Sequence, residues 1–365
     1  MRILLLSPHF AQYSLLLARA LVQQPGVSVL LVMNQLNYQS EVGGLETDHS
    51  SIHLKIILLP HKRTLRCLFS NTWRYWRLIR EFNPDVIHAQ EEPKDYLAFS
   101  LLFTSRPVVL TIHDPRAHAG DSTASEPFSR HAIYRRYLRY RAKAAVVHGT
   151  CLLDQLRELG FCKTAIVAPH GPLGNLDNPP AQDCIVGRCL FFGRMQSYKG
   201  LAEFIEGIEL TAVEHPEVHG VIAGRGPELL HFQEKLQNNA RFSVIDRFLS
   251  PQEVVEQFQK SDVVVLPYRE ATQSGVAAYA LGLGRPMVVT RVGGLPEMVD
   301  NGRNGFIVPP KQALALAHAI SAILANRALA KMMGEHSLKV GKSRLSWETA
   351  AIVTVALYDH LRAQK

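Results

Sequence analysis

The chain has little cysteine: five residues in 365, Cys67, Cys151, Cys162, Cys184 and Cys189, odd in number, scattered and without a CxxC pair. That argues against a disulfide framework or a cysteine-based zinc site and leaves buried or free thiols. Long apolar runs are missing too. Nothing approaches the roughly 18 residues needed to cross a bilayer, and Ile3 to Leu6 is too short for a signal-peptide core before Ser7, Pro8 and His9 interrupt it. The expectation is a cytoplasmic protein. Acidic residues are absent from two stretches, 61–80 and 129–143, and no DxD-type pair stands before a suitable turn, so a metal-held substrate is not expected.

What is present is ordinary globular composition, 47% hydrophobic and 20% charged, at about twice the length of a usual domain. Two domains are expected. The net charge of +8 is uneven: residues 1–170 hold 20 Lys and Arg against 13 Asp and Glu, and the remainder 20 against 19. The two acid-free stretches account for most of it. The first carries Lys62, Arg63, Arg66, Arg74, Arg77 and Arg80 among Phe69, Trp73, Tyr75 and Trp76; the second carries Arg130, Arg135, Arg136, Arg139, Arg141 and Lys143 among Tyr134, Tyr137 and Tyr140. Basic side chains interleaved with aromatics suit an anionic membrane surface. The same charge attracts nucleic acid, although no nucleic-acid-reading motif accompanies it, and a solvated helix face with snorkelling arginines fits the pattern equally.

Short β-branched or leucine runs alternate with longer amphipathic segments, the pattern of parallel sheets covered by helices. In the first half, strands are expected at Arg2–Leu6, Ser28–Met33, His53–Leu58, Val86–His88, Val108–His113, Ala144–Val147 and Ala165–Ala168. Helices fit Tyr13–Gln24, Thr72–Glu81, Tyr96–Phe103, Ile133–Lys143 and Cys151–Leu159. The stretch 171–183, rich in Gly and Pro, reads as a linker. A second alternating series runs from Arg188 through a helix at Glu228–Asn238 and a strand at Asp262–Leu266 to a helix at Lys311–Asn326. A polar stretch at Lys339–Ser346 then separates it from a last helix, Trp347–Arg362.

The chemistry concentrates in the second half. Thr272, Gln273, Ser274 and Gly275 form a turn between a buried strand and the helix-forming run Val276–Leu283. A helix N-terminus with free N–H groups, carrying about +0.5 charge, therefore points outward from a strand end and favours a phosphate. Gly193 to Gly200 (GRMQSYKG) adds two cations, Arg194 and Lys199, after another strand. Ala223 to Glu228 (AGRGPE) is a further turn, with Pro227 at a helix start.

In this order, with Gly293-Gly294-Leu295-Pro296-Glu297 and Asn304 to Val308 (NGFIV) behind them, the motifs resemble the family 4 glycosyltransferases, and the Ala271 to Gly275 loop resembles their bacterial polysaccharide-type members. The resemblance is close from Leu190 to Pro309. It is looser over Asp85–His88, Pro107–Asp114, Val147–Gly149 and Pro169–Gly171.

It implies an α/β protein of the GT-B fold, with two Rossmann-like doubly wound domains facing each other across a cleft. Residues 1–170 would be the acceptor-side domain, 171–184 a linker, 185–346 the donor-binding domain and 347–365 a helix crossing back to the first domain. The implied activity is retaining transfer of a sugar from a nucleoside diphosphate donor to a hydroxyl of a glycan or lipid-linked acceptor, without metal or other cofactor. No nucleic acid is expected as a partner.

By the same resemblance, Arg194 and Lys199 bind the donor pyrophosphate and stabilise its departure, with Gly193 allowing the turn. Ser274, Gly275 and Val276 hold the same phosphates, and Arg247 and Phe248 receive the nucleobase, mainly through main-chain groups. His113 faces the transferred sugar. His9, Phe10 and Tyr13, on the loop after the first strand, contact the acceptor. One departure stands out. The family's two donor-contacting glutamates align with Ala271 and Tyr279; Glu270 is placed to substitute for the first, and nothing acidic stands at the second. A non-catalytic GT-B protein that binds nucleotide or glycan within an assembly is the alternative. A nucleotide-sugar epimerase of the same fold lacks its acidic and histidine constellation here.

Overall fold

The computed structural model describes residues 1–43, 52–60, 65–92, 95–102, 104–116, 129–174 and 184–364, with the side chains of 65–68 and 95–96 excluded. The chain divides into two compact units. Unit 1 comprises Met1–Ala117, Asp121–Gly171 and Ser346–Lys365, and the bulk of unit 2 is Pro172–Leu345.

Unit 1 is a seven-stranded, wholly parallel sheet, order β3-β2-β1-β4-β5-β6-β7. The strands are β1 (Arg2–Ser7), β2 (Ser28–Asn34), β3 (Leu54–Leu59), β4 (Val86–Gln90), β5 (Val108–Thr111), β6 (Ala144–Val147) and β7 (Thr164–Val167). Runs such as Ile3–Leu6 and Val108–Leu110 are buried on both faces, as a sheet with helices on each side requires. The register sets Leu4 beside both Leu30 and Ile87, so the apolar core crosses the middle of the sheet. The crossovers carry α1 (Ala11–Val22), α2 (Gln35–Glu41), α3 (Leu65–Phe82), α4 (Asp95–Ser100), α5 (Arg130–Arg141) and α6 (Thr150–Glu158).

Unit 2 has a six-stranded parallel sheet, order β10-β9-β8-β11-β12-β13. Its strands are β8 (Arg188–Phe192), β9 (His219–Ala223), β10 (Phe242–Ile245), β11 (Val263–Leu266), β12 (Met287–Thr290) and β13 (Gly305–Val308). A 3-10 turn spans Ser197–Lys199. The helices are α7 (Leu201–Thr211), α8 (Glu228–His231), α9 (Gln233–Gln237), α10 (Pro251–Gln259), α11 (Gly275–Gly282), α12 (Leu295–Met298), α13 (Ala313–Leu324) and α14 (Arg327–Gly341). The chain then returns to unit 1. Ser346 caps the final helix, α15 (Trp347–Ala363), by accepting from Thr349 N at 3.0 Å.

Several boundaries differ from those the sequence suggests, each for a physical reason. The expected helix Glu228–Asn238 breaks at Phe232, whose backbone leaves the helical range (φ −111°, ψ 6°) as its ring packs on the unit 2 core. The helix expected from Thr72 begins at Leu65. The short α2 and all of α14 had no counterpart in the sequence reading. In α14, Gly334 and Gly341 are close-approach positions: a Cβ at Gly334 would run into Gly284 O, and one at Gly341 would lie 2.8 Å from Pro172 Cγ. Small residues there permit helix packing and do not mark a loop. The linker also starts later than expected. Pro172 and Leu173 belong to unit 2, with Leu173 N donating to Ala278 O at 3.1 Å; residues 175–183 of that stretch lie outside the described residues.

Candidate active site

In each sheet the strand order reverses once, between β1 and β4 in unit 1 and between β8 and β11 in unit 2. The loops leaving the carboxyl ends of such a pair diverge and leave room for a ligand. Most of the residues singled out in the sequence gather at these two places.

In unit 2, Gly193 follows β8 with φ 119°, a left-handed conformation that glycine adopts without strain. A Cβ at this position would lie 2.9 Å from Lys199 Nζ and 3.7 Å from Val276 Cγ2. The bare glycine thus sits between the lysine and the first turn of α11. Lys199 is only 8% exposed. Its ammonium donates to Tyr268 Oη at 3.0 Å and lies 4.6 Å from the centroid of that ring. Among the described residues no carboxylate pairs with it. Ser274 caps α11, its Oγ accepting from Ala277 N at 3.3 Å. The N–H groups of Gly275 and Val276, ahead of the first intrahelical bonds, remain at the open end of the helix. Arg194, exposed, has no ion-pair partner among the described residues. Buried cation, exposed cation and helix N-terminus make this end of unit 2 electropositive and rich in donors.

One brace here lay beyond the sequence reading. Arg269 holds Glu203 through both carboxylate oxygens, at 2.8 and 3.0 Å, while its own N–H donates to Tyr198 O at 2.7 Å. The loop after β11 is thereby tied to the loop carrying Lys199. The partners stand 66 residues apart, a separation no local motif reveals.

The other donor-side residues are more dispersed. Arg247 is committed to Glu253 through a two-point ion pair, at 2.5 and 3.0 Å, at the capping box of α10. This pairing pulls the Glu253 carboxyl down to about 2. Phe248 is 76% exposed. Glu270 is exposed, and Tyr279 lays its ring on Phe258 (5.3 Å, 30°), which in turn meets Phe192 edge-on at 5.4 Å. The position where the family resemblance leads one to expect a glutamate is thus part of an aromatic stack.

In unit 1, His9, Phe10, Tyr13 and His113 come together, joined by His148, His170 and Trp347, to which the sequence reading assigned no site role. Phe10 stacks on His113 with centroids 4.0 Å apart, and Tyr13 stands edge-on to His113 at 4.9 Å. Tyr13 also lies 5.1 Å from both His148 and His170 and 5.0 Å from Trp347. Phe10 adopts φ 62°, ψ 52°, an uncommon state for a bulky residue, costing on the order of 1–3 kcal/mol. That conformation sets its ring over His113. Burial, reinforced by the neighbouring imidazoles, drives His113 well below the ordinary histidine range; burial first of all lowers His148 to about 3 and His170 to about 4. The imidazoles are neutral at physiological pH.

Below this cluster His88 bridges the sheet to α15, with Nε2 to Thr111 Oγ1 at 2.7 Å and Nδ1 to Tyr358 Oη.

The N-terminus of α1 is already occupied. Ala11 N donates to Asn37 Oδ1 and Gln12 N to Glu41 Oε2, both at 3.1 Å. The protein's own carboxylate takes the place an anionic ligand would otherwise use.

Comparison with known proteins fits this arrangement. Residues 187–326 match the family model of glycosyl transferases group 1, and residues 10–170 match the glycosyl transferase 4-like domain. The chain belongs to the family 4 glycosyltransferases. It is 26% identical over 298 residues to a glycogen synthase of Mycobacterium tuberculosis, covering 76% of this chain and 69% of that protein. To a D-inositol 3-phosphate glycosyltransferase of Streptomyces avermitilis it is 29% identical over 237 residues, 62% of this chain and 48% of the relative. The chain therefore spans about half the length of the latter.

Among solved structures, the sucrose-phosphate synthase of Thermosynechococcus elongatus superposes with TM-score 0.72 at 19% identity over 100% of both chains. Anabaena HepE, in complex with UDP and glucose, gives TM-score 0.71 at 16% identity over 99% and 100%. The fold of this family 4 chain is GT-B, two parallel-sheet α/β domains.

Proposed function

We propose that the protein transfers a sugar from a nucleoside diphosphate donor, bound at the β8 and β11 loops of unit 2, to an acceptor hydroxyl held by unit 1. The observation that carries this reading is Lys199, a buried ammonium without a carboxylate partner among the described residues, beside Gly193 and the open end of α11. A buried unpaired cation is costly unless an anion joins it. A pyrophosphate would accept from Lys199, Arg194 and the N–H groups of Gly275 and Val276.

The leaving phosphate then takes the proton of the incoming hydroxyl on the face it departs from, which retains anomeric configuration. Two cations and a helix end neutralise its charge, so no metal is needed. His113 faces the transferred sugar. HepE and a trehalose-6-phosphate protein of E. coli with similar folds are described in complex with UDP-glucose and UDP-2-fluoro glucose, which makes uridine diphosphate sugars the first donors to try.

A thermal-shift screen of uridine, guanosine and adenosine diphosphate sugars identifies the donor, since a bound ligand stabilises in proportion to occupancy. With that donor, Lys199→Ala is expected to lower turnover about 10²- to 10³-fold. Undiminished turnover in both Lys199→Ala and Arg194→Ala sinks the proposal. The anomer formed, read by proton NMR, tests retention, and activity in excess chelator tests metal independence.

One observation favours a second reading, binding without turnover: Tyr279 stacks on Phe258 where a ribose-binding carboxylate is expected. Calorimetry showing tight donor binding with neither transfer nor donor hydrolysis would select it.

The role extends to glycan or glycolipid assembly at a membrane surface, supported by the outer face of α3. Phe69, Trp73 and Trp76 are exposed there, and Arg77 and Arg80 lie over the two indoles at 5.6 and 5.4 Å. Lys62 and Arg63 lie outside the described residues. The second basic stretch needs correction. Arg139 points inward to the nearly buried Glu91 (2.6 and 2.8 Å), and Arg141 donates to the carbonyls of Leu101 and Thr104, so both are structural. Liposome sedimentation should accordingly be tested with Arg74, Arg77, Arg80 and Arg136. Loss of anionic-vesicle binding on their neutralisation supports the surface; binding indifferent to salt and to these changes refutes it. No single helix among the described residues is long and apolar enough to cross a membrane.

A further inference from the structure

The cradle of unit 2 is bordered by an aromatic wall that the transfer step itself does not use. Phe192, the last residue of β8 and the neighbour of Gly193, meets Phe258 of α10 edge-on at 5.4 Å, and Phe258 carries the Tyr279 ring at 5.3 Å and 30°. Phe258 is fully buried, whereas Phe192 and Tyr279 each keep part of their surface exposed. The wall reaches the cradle from its other end as well. A Cβ at Gly193 would lie 3.7 Å from Val276 Cγ2, and Tyr279 stands one helical turn behind Gly275 and Val276 on the same face of α11. Helical side chains lean toward the N-terminus, which directs the phenol toward the open N–H groups that receive the pyrophosphate.

Of the donor's two ends, the sugar goes to the acceptor on unit 1 and the nucleoside stays with unit 2, so the pentose next to the pyrophosphate meets this wall. Reading a ribose there means answering two vicinal hydroxyls together, which suits the two oxygens of a carboxylate. The elements around the wall have none to spare. Helix α11 contains no acid; on α10, Glu253 is held by Arg247 and Glu256 by Lys260; on α7, Glu203 is held by Arg269. What stands there instead is a phenol, one oxygen on an apolar ring. One oxygen answers one hydroxyl, and the ring beside it offers nothing to a second. A 2′-deoxyribose matches that face, with a 3′-hydroxyl for the phenol and a bare C2′ methylene for the ring.

We infer that Tyr279 is a specificity-determining residue that leaves the 2′-hydroxyl unread, so that unit 2 takes 2′-deoxyribonucleoside diphosphate sugars at least as well as their ribose counterparts. The inference rests on the reading that unit 2 binds a nucleoside diphosphate donor, and it holds whether or not turnover follows. A site built to hydrogen-bond a hydroxyl rejects the ligand that lacks it, because the site's own polar groups are left unpaired. Against an aromatic ring no such group is stranded.

The test titrates the full chain by calorimetry with UDP, GDP and ADP and with the 2′-deoxy form of each. For the base that binds most tightly, the deoxy form is expected to bind within about threefold of the ribose form or more tightly, where a hydroxyl that is read would be worth roughly tenfold or more. Tyr279→Glu, which supplies two oxygens, should move the ratio about tenfold toward the ribose form. Tyr279→Phe should weaken both forms by the same factor. A preference of about tenfold or more for the ribose form in the unmodified chain overturns the inference without any variant. So does a Tyr279→Phe loss confined to the ribose form, or a ratio unmoved in a Tyr279→Glu chain whose circular dichroism is unchanged. Binding of none of the nucleotides overturns the donor reading and the inference with it, whereas a ribose preference leaves the donor reading standing.

Discussion

Gly193 shows how much one residue contributes at the donor end. Its φ of 119° is strained for any L side chain, and a methyl group would press on Lys199 Nζ at 2.9 Å. Gly193→Ala is therefore expected to cost roughly 1–3 kcal/mol of stability and to displace the ammonium. Donor affinity should fall at least tenfold, measured by calorimetry; unchanged affinity would show that Lys199 does not need its present position. Gly193 and Lys199 were legible in the sequence because glycine and lysine sit at a fixed spacing after a buried strand. The residues that hold them were not. Tyr268 meets Lys199 across 69 positions and Arg269 meets Glu203 across 66, so these pairs exist only once β8 and β11 lie side by side. Arg139 misled for the converse reason, since it stands in an acid-free run of basic residues while its partner, Glu91, arrives from the end of β4.

Among the elements, the central strands were readable because parallel strands buried on both faces are uninterrupted apolar runs, and Val263–Leu266 falls where the residues suggest. Helices were harder wherever packing overrides composition. Small residues in α14 serve close contact, and α2 is held by the Asn34 cap and by Asn37 and Glu41 reaching to α1. Helix α15 joins unit 1 by a bond equally invisible in the sequence, Tyr358 Oη to His88 Nδ1. Tyr358→Phe removes that partner and leaves a buried imidazole nitrogen unanswered. A loss of about 1–3 kcal/mol is expected, read as a lower urea midpoint at unchanged slope. A midpoint equal to that of the unmodified protein would show that α15 is held by its apolar face alone. At the other end of the crossover, Glu41→Ala opens the first turn of α1 and should cost roughly 1 kcal/mol. The loss is read as a lower urea midpoint at unchanged slope; a midpoint equal to that of the unmodified protein would show that α1 does not need this carboxylate.

At the scale of the molecule, the four imidazoles buried in unit 1 make its stability depend on pH in a direction the structure fixes. His88 and His148 are lowered to about 3 and His170 to about 4, and His113 is lowered well below its ordinary range, burial being the main cause throughout. In the unfolded chain each titrates near the ordinary value of about 6.5. Above that value neither state binds these protons and the stability is fully present. As pH falls below it the unfolded chain takes up protons that the folded chain refuses, so stability is lost progressively down to the folded values near 3 to 4. The four contributions share one sign, so unit 1 is expected to lose stability as pH falls below about 6.5. Among the described residues, unit 2 holds no buried histidine. All three tryptophans, Trp73, Trp76 and Trp347, lie in unit 1, so their fluorescence reports its unfolding alone. On acid titration the tryptophan signal is expected to change between about pH 6 and pH 4, with part of the far-ultraviolet circular dichroism surviving to lower pH. A tryptophan signal constant to pH 4 would show that the imidazoles accept protons in the folded state and that the cluster is more open to water than its packing indicates.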